Sequence, residues 1–151
     1  MTKKKAAPTP RKTISGAPSN LLDLTLQRIP FAESIDAKMR TLRGRTGITP
    51  NILARFGFCL SLEEQGSPQD PFESEGVGRE INRNTLLGDN DSVYIALLRT
   101  WVAKNDIIET CTQKQFNDFL VAHMNRGFEL ISSRIRGLPD LASLVGRDFK
   151  S

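Results

Sequence analysis

Gly47-Ile48-Thr49-Pro50 places a stop signal for one helix two residues before a start signal for the next, and nothing else in the chain constrains its fold as much. Glycine takes up the left-handed conformation that ends helices at no steric cost, whereas Thr49 suits an N-cap and Pro50 the first helical position. The helix expected upstream has Ser34 as its cap and Ile35, Met39 and Leu42 at helical spacing. The second runs from Pro50 to about Glu64 and carries Ile52, Leu53, Ala54, Phe56, Phe58, Cys59, Leu60 and Leu62 around almost its whole circumference. A helix apolar on that many sides must be surrounded by protein. In a chain with few helices a second copy does this most simply, so a homo-oligomer is expected.

The flanking segments complete a mainly α fold, with a short N-terminal strand, about four helices and a small β element in the middle. Alternation from Leu21 to Phe31 fits a strand, with Pro30 placing it at an edge or at its end. Gln65 to Gly78, rich in Gly, Pro, Ser and acids, reads as an exposed loop, and Arg79 to Leu87 as an extended stretch anchored by Ile81 and Leu86. A third helix is expected from Ser92 to about Asn105, with Asp91 as N-cap. A fourth opens at the capping box Thr112-Gln113-Lys114-Gln115 and lines Phe116, Phe119, Leu120, His123, Met124, Gly127 and Ile131 along one face. Leu138-Pro139 ends it. Residues 1–20 hold Lys3, Lys4, Lys5, Arg11 and Lys12 with no acid and are expected to form a disordered basic arm, 21–137 a single helical domain, and 138–151 a loosely held tail.

Convergent catalytic groups are not evident. The single histidine, His123, lies on an apolar helix face without Cys or carboxylate at metal-ligand spacing, which fits an interior structural role. Gly44 and Gly47 flank a helix-to-helix turn and lack the strand-loop-helix context of a phosphate loop. Asp89 and Asp91 fit turn and cap positions better than a cation site. Neither cofactor nor metal is therefore expected. Cys59 and Cys111 are far apart, and no apolar run reaches the length of a membrane span, so a cytoplasmic protein with no membrane partner is expected. A net charge of +4 and a pI near 9.3 favour polyanions. Arg28, Lys38, Arg40, Arg43, Arg45 and Arg55 fall within the one strand-helix-helix unit, and Arg126 lies on the fourth helix. Oligomerisation would multiply them into a positive surface for phosphates, which gives affinity without sequence preference.

In outline, Ile29-Pro30-Phe31 to Leu62 is similar to ribbon-helix-helix DNA binders. A closer likeness is carried by three blocks in order: Leu42-Arg43-Gly44-Arg45-Thr46-Gly47-Ile48-Thr49-Pro50-Asn51-Ile52-Leu53, Ile95-Ala96-Leu97-Leu98, and Phe119-Leu120-Val121-Ala122-His123-Met124-Asn125-Arg126-Gly127. Together these resemble the DndE family of the bacterial DNA phosphorothioation system, over most of Leu26 to about Arg134. The resemblance implies a small helical protein forming a homotetramer that binds double-stranded DNA, nicked duplex preferentially, through basic surface residues. It also implies association with the modification proteins DndC and DndD, which belong to the machinery that replaces a non-bridging phosphate oxygen by sulfur. The arm before Asn20 and the tail after Gly137 exceed the family's usual extent. Two readings from other classes stand beside this one: a ribbon-helix-helix regulator reading bases with Gln27 and Arg28, and a DNA-nicking enzyme.

Overall fold

Strand β1 (Arg28–Ala32) runs directly into helix α1 (Glu33–Thr46), and α2 (Pro50–Glu63) follows after the Gly47 turn. Strand β2 (Val77–Asn82), a short helix α3 (Arg83–Leu87), a 3-10 turn (Gly88–Asn90), α4 (Asp91–Lys104) and α5 (Gln113–Arg134) complete the order. The computed structural model describes residues 21–143, so the basic arm expected over residues 1–20 lies outside it, as do residues 144–151.

α5 is the central element. Its capping box forms as the sequence requires, with Gln115 N–H donating to Thr112 Oγ1 at 3.1 Å and Thr112 N–H to Gln115 Oε1 at 2.8 Å. Phe116, Leu120, Met124, Phe128 and Ile131 are fully buried along it. α2 crosses α5 so closely that only glycine fits: a Cβ on Gly57 would sit 2.7 Å from the carbonyl carbon of Gly127. That approach lets Leu53, Ala54 and Phe58 reach the core from α2, with Ile35, Met39 and Leu42 entering from α1. The outer face of α2 is uncovered, since Ile52 and Phe56 are each 36% exposed and Cys59 is exposed.

The two strands form an antiparallel ribbon within the chain, with Ile29 opposite Ile81 and Phe31 opposite Arg79. The other edge of β1 is closed by Asn125 of α5, whose Nδ2 donates to Pro30 O and whose Oδ1 accepts from Ala32 N–H. Pro30 therefore turns its backbone towards α5, and its missing N–H costs no ladder bond.

Several local expectations need correction. The strand begins at Arg28 and not near Leu21, because the preceding residues are held by side chains; Asn117, for example, binds the Thr25 amide. Ser34 does not cap α1. Ala32 stands at the N-cap, and the Glu75 carboxylate from the loop accepts from Ser34 N–H at 2.7 Å and Ser34 Oγ at 2.9 Å, which holds its pKa low. The exposed loop ends earlier than Gly78, since β2 starts at Val77. Only Arg79–Asn82 of the expected extended stretch is strand. Asn82 accepts from Asn84 N–H and starts α3, a helix too short to show periodicity. Asp91 is already helical, and its carboxylate takes two bonds from Arg83, which also donates to Leu24 O. After Gly137 the chain is helical again over residues 138–143, where Asp140 accepts from the Arg136 and Gly137 amides and Leu141 is buried.

Candidate nucleic-acid interface

The turn between α1 and α2 is fixed by three groups. Gly47 (φ 75°) donates its N–H to Arg43 O at 2.8 Å, the left-handed closure that glycine permits. Thr46, 8% exposed, donates its hydroxyl to Leu42 O at 2.8 Å and accepts from Ile48 N–H at 3.1 Å. Thr49 stands at the N-cap and Pro50 at the first helical position, although the Thr49 hydroxyl makes no capping bond. The last turn of α1 is thus rigid, and it carries Arg43 and Arg45 into solvent.

The seven basic residues fall into four groups. Arg43 and Arg45 are exposed and, among the described residues, make no salt bridge. Arg28 and Arg40 are exposed but paired, with Glu80 and Asp36 respectively, each at 2.9 Å. The Arg28–Glu80 pair, exposed on both sides, is weak enough for a phosphate to compete with the carboxylate, whereas Asp36 is largely buried and keeps Arg40 beside it. Lys38 is half-buried beside the Glu75 carboxylate. At 3.6 residues per turn Arg40 and Arg43 share one flank of α1, about 60° apart, whereas Lys38 and Arg45 share the opposite flank.

Arg55 and Arg126 are half-buried and committed to backbone carbonyls. Arg55 donates to Leu86 O at 2.7 Å and Thr85 O at 3.2 Å and so terminates α3. Arg126 closes the end of α2, donating to Ser61 Oγ (2.8 Å), Ser61 O (2.6 Å) and Gly66 O (2.9 Å), and burial lowers its pKa. Ser61 Oγ in turn lies 2.8 Å from Nδ1 of His123, which is fully buried, as its place on an apolar face implies. Burial first, and the Arg126 charge second, lower the His123 pKa to about 3. A neutral imidazole with no solvent access stabilises the interior and cannot serve a substrate.

Two charged residues of this region escaped the sequence reading. Arg79 on β2 lies 2.9 Å from Asp36 Oδ1, across from Arg40 on Oδ2, so one carboxylate is shared by two guanidinium groups from separate elements. The pairing depends on a strand register that no local pattern reveals; the one signal was Gly78. Among the described residues no group of three or more His, Cys, Asp or Glu could hold a metal ion, and no helix is long and apolar enough to cross a membrane.

Residues 28–137 match the family described as DNA sulphur modification protein DndE. Among solved structures, the chain is similar to DndE from Escherichia coli B7A, involved in DNA phosphorothioation modification, at 22% identity and TM-score 0.57, covering 72% of this chain and 99% of that one. A glycine-to-lysine mutant of DndE involved in DNA phosphorothioation is similar at 20% identity and TM-score 0.53, with the same coverage. These two likenesses speak to the fold alone. No curated protein matches the chain. The family match spans every strand and helix from β1 to α5, including the rigid Gly47 turn and the α2–α5 crossing, and the chain accordingly belongs to the DndE family of DNA sulphur modification proteins.

Proposed function

We propose that this protein is a non-catalytic DNA-binding subunit of a phosphorothioation system, which grips double-stranded DNA, nicked duplex preferentially, through the basic surface of a homo-oligomer, most simply a tetramer. The observation that carries this reading is the pair Arg43 and Arg45, held out by a rigid turn with no salt bridge to either among the described residues. The open apolar face of α2 supports self-association, which would repeat that pair around the assembly. A nick relaxes the stiffness of the duplex and lets it follow such a surface at less deformation cost. DndC and DndD are the expected partners in the cytoplasm.

Two competing readings meet physical obstacles. A ribbon-helix-helix regulator pairs β1 with its copy, but here β2 occupies one edge of β1 and Asn125 the other. A nicking enzyme needs an accessible base or metal cluster, and His123 is sealed in the core.

A gel-shift series with intact, nicked and single-stranded DNA at 50 and 200 mM salt tests the proposal. Nicked duplex should bind most tightly, and an R43E/R45E variant should weaken binding to every sequence while folding normally. Salt-insensitive binding, or conversion of supercoiled plasmid to open circle in Mg²⁺, would overturn it.

A further inference from the structure

Asp36 is an unusual acid to find in a basic region. Its side chain is only 17% exposed, yet it lies between Arg40, 63% exposed, and Arg79, 36% exposed, with 2.9 Å to each. One negative charge faces two positive ones, so the cluster keeps a net charge of +1. Each guanidinium offers five N–H donors. Arg40 commits one to the carboxylate, and the Arg79 contact is an ion pair whose N–H is not aligned for a hydrogen bond, so among the described residues most of the donors on both have no partner.

The cluster is built by close packing. A Cβ on Gly78 would sit 2.8 Å from Glu33 Cα and 3.1 Å from Asp36 Cβ. Glycine at 78 thus lets β2 lie against the first turns of α1 and brings Arg79, the next residue, onto Asp36. Arg43 lies one turn beyond Arg40 on the same flank of α1, exposed and without an ion pair among the described residues. Glu33 begins this flank, so its charge becomes more positive from Glu33 towards Arg43.

We infer that Arg79, held beside Arg40 by the shared Asp36 carboxylate, is a further phosphate contact of the DNA interface, and that Asp36 is its positioning residue. The inference rests on the DNA-binding reading above. It joins residues of β2 and α1 into a single row, Arg79, Arg40 and Arg43, suited to successive phosphates of one strand. Asp36 offsets part of the repulsion between Arg79 and Arg40 and keeps both guanidinium groups close to its carboxylate, so less side-chain entropy is lost when a phosphate docks.

Salt dependence separates a phosphate contact from a structural ion pair, because each lost contact reduces the slope of log K against log salt by about 0.9 and a structural pair leaves it alone. The affinity of the full chain for a nicked duplex oligonucleotide would be measured across a salt series for wild type, R79Q, R79A and R43A. Arg79→Gln keeps a donor for Asp36 while removing the charge, and circular dichroism melts check folding. The expected result is a slope reduced by about one unit per protomer engaged in both R79Q and R43A, with R79A at least as affected. A reduced slope in R43A with an unchanged one in R79Q would overturn this inference and leave the DNA-binding reading intact. A wild-type slope near zero would overturn both.

Discussion

His123 is the residue whose surroundings say most about the interior. Arg126 Nε donates to Ser61 Oγ, so the Ser61 hydroxyl proton is free to donate to His123 Nδ1, and the imidazole proton then stands on Nε2. Among the described residues Nε2 is buried with no N or O partner, and the Trp101 ring stands near-perpendicular with its centroid 4.5 Å away. Burial disfavours a charged imidazole here and the Arg126 charge beside it adds to this, so the His123 pKa falls to about 3. In the unfolded chain the ring titrates near 6.5, the ordinary value for histidine. Above that pH both states are neutral and no difference arises. Between about 6.5 and about 3 the unfolded state holds one proton more, so stability falls by roughly 1.4 kcal/mol for each pH unit of acidification. Urea unfolding from pH 6 down to 5, above the range where most carboxylates titrate, should approach this slope in wild type and lose it in His123→Phe. Ser61→Ala should cost about 2 to 4 kcal/mol at pH 7, since it strands one buried group on Arg126 and one on His123. A loss within 0.5 kcal/mol on the same urea curves would contradict the network.

At the scale of elements, the crossing of α2 and α5 is the joint on which the fold depends. Gly57 and Gly127 meet backbone to backbone, and a methyl group on either would press against main-chain atoms that cannot rotate away. Gly57→Ala and Gly127→Ala should each lower the denaturation midpoint strongly, by about 3 kcal/mol in free energy, whereas Gly44→Ala, with no atom within 4 Å of the added Cβ, should raise stability slightly. Chemical denaturation of the three variants checks the contrast. The same joint shows what could be read in advance. Helix periods, the Gly47 stop, Pro50 and the capping box at Thr112 are local signals, and each marks an element that forms. Helical spacing puts Gly127 on the inward face of α5, but its partner Gly57 lies in the middle of a helix whose sequence is apolar on almost every side. The β1–β2 register, the role of Glu75 at the start of α1 and the Asp36–Arg79 contact all join residues about 40 or more positions apart, and no local pattern encodes them. The basic residues were legible as a set and not one by one. Arg55 and Arg126 have the composition of surface contacts, but the carbonyls that claim them become visible only once α2, α3 and α5 are assembled.

At the scale of the whole molecule, an apolar face stands open among the described residues. Ile52, Arg55, Phe56 and Cys59 on α2, with Tyr94 of α4, line an open notch of about 280 Å³, in which Arg55 is the one charged side chain, and Val93 and Leu97 continue the exposed apolar surface along α4. A protomer with this face in water would be prone to self-association, and the proposed assembly covers it. Phe56 is the discriminating position because its ring is partly exposed in the protomer, so changing it tests the contact between copies without opening the core. Phe56→Glu should leave the unfolding free energy of the dilute protomer within about 1 kcal/mol of wild type, as expected for a site outside the packed interior. In multi-angle light scattering the same variant should run at the protomer mass of 16.8 kDa while wild type runs at a multiple of it. The consequence for DNA follows from multivalency. Each protomer of the variant retains Arg43 and Arg45, but a second protomer's pair no longer lies at high effective concentration beside a bound duplex. Affinity for nicked DNA should therefore drop by roughly 10²-fold or more with no basic residue changed. A monomeric Phe56→Glu protein that binds as tightly as wild type would show that one protomer suffices, and the basic surface would then have to be sought within a single copy.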